Sequence, residues 1–375
     1  MKSTSEKRAF KVLKCLIFCL LAVLMVHGIN RVLKIKGQEY GVYSPYAQYG
    51  GFYEMEKNTV DVLFLGSSHC YCGFSPQEFY DRCGIRSYNL GSSRQSTWLS
   101  YYWLREAIKT QTPQAVVMDV YYTRVSSGDE PSVQKALSYM KWSPNKVEAV
   151  QTAVKEFPEL NFKSFLLPNI RFHDRWKELD RADFVLSELE PYKALKGYVP
   201  LPDRYGKTDF KMIGESEEDF AAASKAGIEL QPETDEYTEW PDTSKEYMGR
   251  IADLCKEKGI DLILVKTPTV RWTAEDHNAA AKFAEEYGLS FYDFNTCRYY
   301  EALNYDYARD NADEGHANVQ GAEKICGFIG SLLAGEYNIE AVRDEQWEKT
   351  APFTEEIKKE YACKETGDAA KSTSD

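Results

Sequence analysis

The chain has 375 residues, 43% of them apolar, and a formal net charge of -12. That length buries one large core, so a single domain of roughly 200–250 residues with appendages is expected. The acidic balance excludes nucleic acid as a partner, because phosphate binding needs a positively charged surface.

In chain order, the first element is a nearly unbroken apolar run from Val12 to Ile29, interrupted by Lys14 and His27. It is long enough to span a bilayer core with its flanks snorkelling. Lys2, Lys7, Arg8 and Lys11 precede it, while Arg31, Lys34 and Lys36 follow. The balance favours a cytoplasmic N-terminus and an extracytoplasmic remainder, a single-pass cell-membrane topology. No small-x-small cleavage site follows, and Phe18 before Cys19 spoils a lipoprotein-type site, so residues 1–33 read as an uncleaved signal anchor, with a cleaved signal peptide as the alternative.

Residues 34–57 lack periodicity and read as a linker. The domain, 58–338, opens with the apolar run Val60–Leu65, a buried parallel strand that stops at Gly66-Ser67-Ser68. A short helix runs from Pro76 to Arg82. Ile85–Leu90 is a second strand, Thr97–Lys109 a helix and Ala115–Val120 a third strand. The pattern resumes with a helix Lys245–Lys258, a strand Asp261–Val265, a helix Ala274–Tyr287, a strand Leu289–Tyr292 and a closing helix Val319–Leu333. Alternating strands and helices specify an α/β doubly wound, three-layer parallel sheet. Residues 124–243 form a helical insertion, with Pro144–Phe157 as one helix, placed where it can wall a ligand crevice. Residues 339–375 form a polar tail, disordered toward Lys371-Ser372-Thr373-Ser374-Asp375.

Nine cysteines are present, two of them, Cys15 and Cys19, in the anchor. Cys70 and Cys72 are too close for a relaxed disulfide or a usual zinc knuckle, and no second Cys/His pair has metal spacing. Neither a structural metal nor a cofactor is called for, and a disulfide between distant cysteines stays open.

Ser68 follows the first strand on a tight turn, which presents its hydroxyl at the sheet's C-terminal edge and its own N–H toward an oxyanion. A serine needs a base and a group orienting that base. Of the five histidines, His27 lies in the anchor, His69 is expected to project away from Ser68, His277 is expected to face solvent from a helix, and His173 lies in the insertion. His316, in Asp313-Glu314-Gly315-His316-Ala317-Asn318, precedes the last helix where the chain returns to the same edge. Asp313, three residues earlier, lets one loop supply both base and orienter. Lys266 and Thr267 read as loop residues without a site role.

These blocks resemble the SGNH/GDSL hydrolase superfamily, whose first block ends the first strand and whose last is D-x-x-H. The resemblance implies a flavodoxin-like SGNH hydrolase fold over roughly 58–123 and 245–333. Ser67 stands where Asp is usual, and the G-S-S form is similar to membrane-anchored DltD-like and polysaccharide O-acetylation proteins. Asn318 and Gly321 resemble the common continuation of the last block. Gly91, in Asn89-Leu90-Gly91-Ser92-Ser93, matches the second-block glycine, whose N–H is implied as an oxyanion donor beside that of Ser68.

The third block departs from the family, reading Val117-Met118-Asp119-Val120-Tyr121-Tyr122 with no Asn donor. An ionised Asp119 repels an oxyanion, which leaves Tyr122, His173 or Arg175, as oxyanion or substrate contacts, or a partner to fill the place, or else a slow enzyme. The resemblance implies a serine esterase or O-acyltransferase working through an acyl-enzyme on an envelope glycopolymer or acylated small substrate, with a membrane-bound O-acyltransferase as a candidate partner. The alternative is a non-catalytic accessory that binds such an acyltransferase or its polymer.

Overall fold

A computed structural model describes residues 4–37 and 43–362 of the chain. The terminal Lys371–Asp375 stretch lies outside the described residues. Thr4–Leu33 is one continuous helix. Its Phe10–Leu33 portion is long and apolar enough to cross a membrane, and none of its most apolar window is buried against the rest of the protein.

Five strands form the central sheet: β1 (Val62–Leu65), β2 (Ser87–Asn89), β3 (Ala115–Asp119), β4 (Asp261–Lys266) and β5 (Ser290–Asp293). All neighbours pair in parallel, in the order β2-β1-β3-β4-β5. Successive side chains of a strand point to opposite faces, so Val62 and Phe64 enter one core while Leu63 and Leu65 enter the other. Burial on both faces is why these strands read as unbroken apolar runs.

Helices Thr97–Ala107, Asp242–Lys258 and Ala274–Tyr287 cover one face through Leu99, Trp103, Met248, Ile251 and Ala280. Helices Pro76–Cys83 and Val319–Gly335 cover the other through Phe79, Ile325 and Ile329. The connection leaving β1 runs to β2 on one side, and the connection leaving its neighbour β3 runs to β4 on the other. A crevice opens at such a switch point, outside the C-terminal ends of the strands.

Three stretches differ from the sequence expectation. The supposed linker contains helical turns Tyr46–Gly50 and Gly51–Glu54. Tyr49 and Phe52 are buried in the main core, and Tyr49 stacks on Trp103 with ring centroids 4.4 Å apart. Two aromatic anchors hold a segment too short to display a period. The polar tail includes a helix, Glu345–Tyr361, whose Trp347, Thr354 and Ile357 are buried. Those positions form one narrow stripe, and the charged residues between them mask it. In the insertion, helices Glu130–Tyr139 and Pro144–Glu156 are followed by short turns that pack against the end of the N-terminal helix.

Candidate active site

At the end of β1 the chain turns through Gly66, whose φ of +139° is open to glycine and strained for other residues. A Cβ there would meet both Cβ and the carbonyl oxygen of Asp119 at 3.0 Å. The turn delivers Ser68 as the first residue of the helix Ser68–Gly73, where its amide has no intrahelical acceptor. Asn89, at the end of β2, fastens this helix by donating from Nδ2 to the Cys70 and Phe74 carbonyls, each at 3.0 Å.

The second half of the site is the loop before Val319–Gly335. Asn318 caps that helix through the Gly321 amide (3.1 Å) and donates to the Arg309 carbonyl (2.6 Å). A Cβ on Gly321 would lie 2.1 Å from the Asp310 carbonyl oxygen, so the loop closes this tightly only on glycine. Thr269 and Tyr307 hydroxyls donate to the Glu314 carbonyl at 2.7 and 2.8 Å, and Arg271 pairs with the Glu314 carboxylate.

Between the two halves, Ser68 Oγ and His316 Nε2 are 2.7 Å apart. His316 Nδ1 lies 2.9 and 2.8 Å from the two carboxylate oxygens of Asp313. Asp313 Oδ1 also accepts the Gly315 and His316 amides at 2.8 and 2.9 Å. Burial pushes the Asp313 carboxyl up, but the bond and charge of His316 and the two amides outweigh it and hold the group below the usual carboxylate range. An ionised Asp313 fixes the proton on Nδ1 and leaves Nε2 to accept from the serine. The three residues sit in a cleft of about 620 Å³, also lined by His69, Arg94, Tyr121, Tyr122, Tyr205 and Arg271.

Beneath the serine lies an arrangement that sequence reasoning missed. Lys266, at the end of β4, is wholly buried with its Nζ 3.6 Å from Asp119 Oδ2, at the end of β3. The same ammonium lies 3.3 Å from His69 Nδ1 and donates to the Thr267 carbonyl at 2.7 Å. Burial draws the Lys266 ammonium down to about 8 against the opposing pull of Asp119. Burial likewise raises the Asp119 carboxyl, opposed by Lys266.

His69 is held well below the ordinary histidine range by burial, then by the charges of Lys266 and His316, and so is neutral. With Lys266 donating to Nδ1, the ring proton sits on Nε2. Nε2 has no hydrogen-bond partner among the described residues, and the ring lines the cleft. Lys266 and Thr267, read from sequence as plain loop residues, therefore set the tautomer of a cleft-lining histidine. The available signal was two opposite charges ending two apolar strands, Asp119 and Lys266.

Other expected site residues fall differently. Tyr122 lines the cleft, its phenol raised by burial first. Gly91 does not offer a free donor, because its N–H donates to Asn89 Oδ1 at 3.0 Å and its carbonyl accepts from Gln48 at 2.6 Å. His173 and Arg175 are not brought to the cleft. Arg175 donates to the Leu33 carbonyl at 2.8 Å and pairs with Asp183, and His173 is exposed beside Asp174. The insertion reaches the cleft instead through Tyr205, whose amide donates to the Asn311 carbonyl at 2.8 Å.

His277 does not face solvent. Its Nδ1 lies 2.8 Å from Asp293 Oδ2, which also accepts from Trp272 Nε1 at 2.7 Å. Burial lowers the imidazole, but the Asp293 hydrogen bond and charge outweigh it and raise His277 above its ordinary value. A group raised on folding contributes stability in full below its unfolded value of about 6.5 and loses it as pH climbs through the higher folded value. His277→Ala is therefore expected to cost about 2 kcal/mol near pH 5.5 and clearly less near pH 8.5, as measured by urea unfolding at the two pH values.

No family model and no curated protein matches the chain. Among solved structures, the SBP FpvC from Pseudomonas aeruginosa in complex with Mn2+ aligns over 72% of this chain and 97% of its own, at 8% identity and a TM-score of 0.14. A score that low carries no argument about fold or ligand.

Proposed function

We propose that this chain is a membrane-anchored serine esterase or O-acyltransferase of the SGNH type, acting on ester groups of an extracytoplasmic envelope glycopolymer or related acylated substrate. The observation that carries the proposal is the unbroken hydrogen-bond chain from Ser68 Oγ through His316 to Asp313. Gly66-Ser67-Ser68, Asp313, His316, Asn318 and Gly321, in the chain order of that superfamily, support the SGNH reading. The N-terminal apolar helix supports the anchor.

Ser68 Oγ attacks the acyl carbon while its proton passes to His316 Nε2, and Asp313 stabilises the imidazolium. The charge that develops on the carbonyl oxygen is met by the Ser68 amide and by Nε2–H of His69, which takes the place of the absent third-block Asn. His316 then protonates the leaving alcohol, leaving an acyl group on Ser68. A water or acceptor hydroxyl, deprotonated by His316, attacks that ester in the second half and restores the free serine.

Arg94, at the rim with φ +48°, forms no ion pair among the described residues and is exposed. It fits an anionic group on the substrate. Arg94→Ala is expected to raise KM for a negatively charged ester about tenfold, equivalent to ~1.4 kcal/mol, and to leave a neutral ester unaffected. Steady-state kinetics on the ester pair checks this.

The activity itself is tested by giving the full-length protein an O-acetylated polysaccharide and following free acetate and acetyl transfer to an added glycan. Turnover that Ser68→Ala lacks is the expected result. A folded wild type inert toward a panel of acyl esters would count against catalysis.

A further inference from the structure

Outside the N-terminal helix, the exposed large apolar side chains concentrate in one part of the insertion. Trp142 is 45% exposed, Phe162 39%, Leu166 54%, Ile170 44%, Trp176 65% and Phe184 62%. Phe162 and Leu166 open and close one short helix, Ile170 lies in the next one after a break at Leu167, and Trp142 lies against Phe162 with ring centroids 5.9 Å apart. Isolated apolar side chains on a surface are ordinary, whereas a concentration of them marks an interaction site.

This segment is bolted to the end of the apolar helix. The Asn169 amide donates to Asn30 Oδ1 at 2.7 Å. Arg175 Nη1 donates to the Leu33 carbonyl at 2.8 Å, satisfying an acceptor that the helix end leaves open. Asp183 accepts from Arg175 at 3.0 Å and lies 3.6 Å from Lys36, whose ammonium donates to the Val32 carbonyl at 2.9 Å. Asn30 is within the last turn of the Phe10–Leu33 span, so whatever touches it stands at the depth where acyl chains meet headgroups. Ile170 and Trp176 lie within a few residues of these contacts.

We infer that the 162–184 segment, with Trp142, is a platform seated in the bilayer interface around the exit of the N-terminal helix, and that its occupant is lipid. Trp and other large apolar side chains at the headgroup boundary, beside the end of a spanning helix, are what that environment selects. The platform holds the catalytic domain against the membrane surface instead of letting it swing on a tether. This inference rests on the N-terminal helix being a membrane anchor, and it does not depend on the chemistry at Ser68.

The tryptophans provide the test. Of the seven, Trp98, Trp103, Trp240, Trp272 and Trp347 are at most 5% exposed, leaving Trp142 and Trp176 as those open to a quencher. Full-length protein is reconstituted into phosphatidylcholine bilayers with or without bromine on the acyl chains near the headgroup. Brominated lipid is expected to quench part of the fluorescence, and the Trp142→Phe/Trp176→Phe variant is expected to lose that part. Aqueous iodide, which quenches the same two residues in detergent, should quench them less in the bilayer.

An alkaline carbonate wash separates the two claims. Protein released by the wash overturns both the anchor and the platform. Protein retained, with no lipid quenching or with Trp142 and Trp176 as open to iodide as in detergent, overturns the platform alone and assigns the patch to a protein partner.

Discussion

Ser68→Ala is expected to lower ester turnover by on the order of 10^4-fold or more, with no change in melting midpoint. In the proposed mechanism the hydroxyl is the attacking atom, and it lies 2.7 Å from His316 Nε2, within hydrogen-bond reach of the base. Ser67 is wholly buried beside it, so the adjacent serine hydroxyl is not placed to substitute. His316→Ala should fall into the same range rather than add to it, because nucleophile and base act as one unit. Stopped assays on a chromogenic acyl ester resolve both. A Ser68→Ala protein retaining more than about a tenth of wild-type turnover would remove Ser68 from the mechanism.

The second large effect is expected at His69. His69→Ala should lower kcat by about 100- to 1000-fold while KM changes little, the pattern of losing a donor that acts on the transition state. His69→Gln, which keeps an N–H at the end of a side chain of similar reach, should recover part of the loss. A merely structural role predicts otherwise: both variants would lose melting temperature together, and Gln would rescue no better than Ala. The Lys266–Asp119 pair is a poorer place to probe. Removing the cation leaves a carboxylate buried without compensation, which typically costs about 3–5 kcal/mol and would confound chemistry with folding.

What could be read from the chain alone follows from locality. The strand, the Gly66 turn and Ser68 are contiguous, as are Asp313 and His316, so each half of the site is written in a few residues. Their convergence follows from parallel strands, whose C-terminal ends share one edge. The Asp119–Lys266–His69 arrangement joins two strand ends and a helix, and no short pattern records it. Gly91 sits at the expected position, yet the Asn89 side chain engages its amide, a local competition that position does not reveal.

His173 and Arg175 were charged or titratable residues in an insertion assumed to lie over the crevice, whereas Arg175 caps the N-terminal helix. Tyr49 and Phe52, buried within the supposed linker, and Trp347, buried within the supposed tail, belong to segments whose polar composition concealed one or two aromatic anchors. Two or three buried side chains, Tyr49 with Phe52 or Trp347 with Thr354 and Ile357, hold such a segment without leaving a period to detect.

The most direct test of a serine enzyme at this site is mass spectrometry of the full-length protein after exposure to a serine-reactive fluorophosphonate. The expected result is one covalent adduct, on the peptide containing Ser68, absent from Ser68→Ala and formed more slowly by His69→Ala. A folded wild type that stays unmodified, or an adduct that persists in Ser68→Ala, would contradict the assignment of Ser68, His316 and Asp313 as the catalytic machinery.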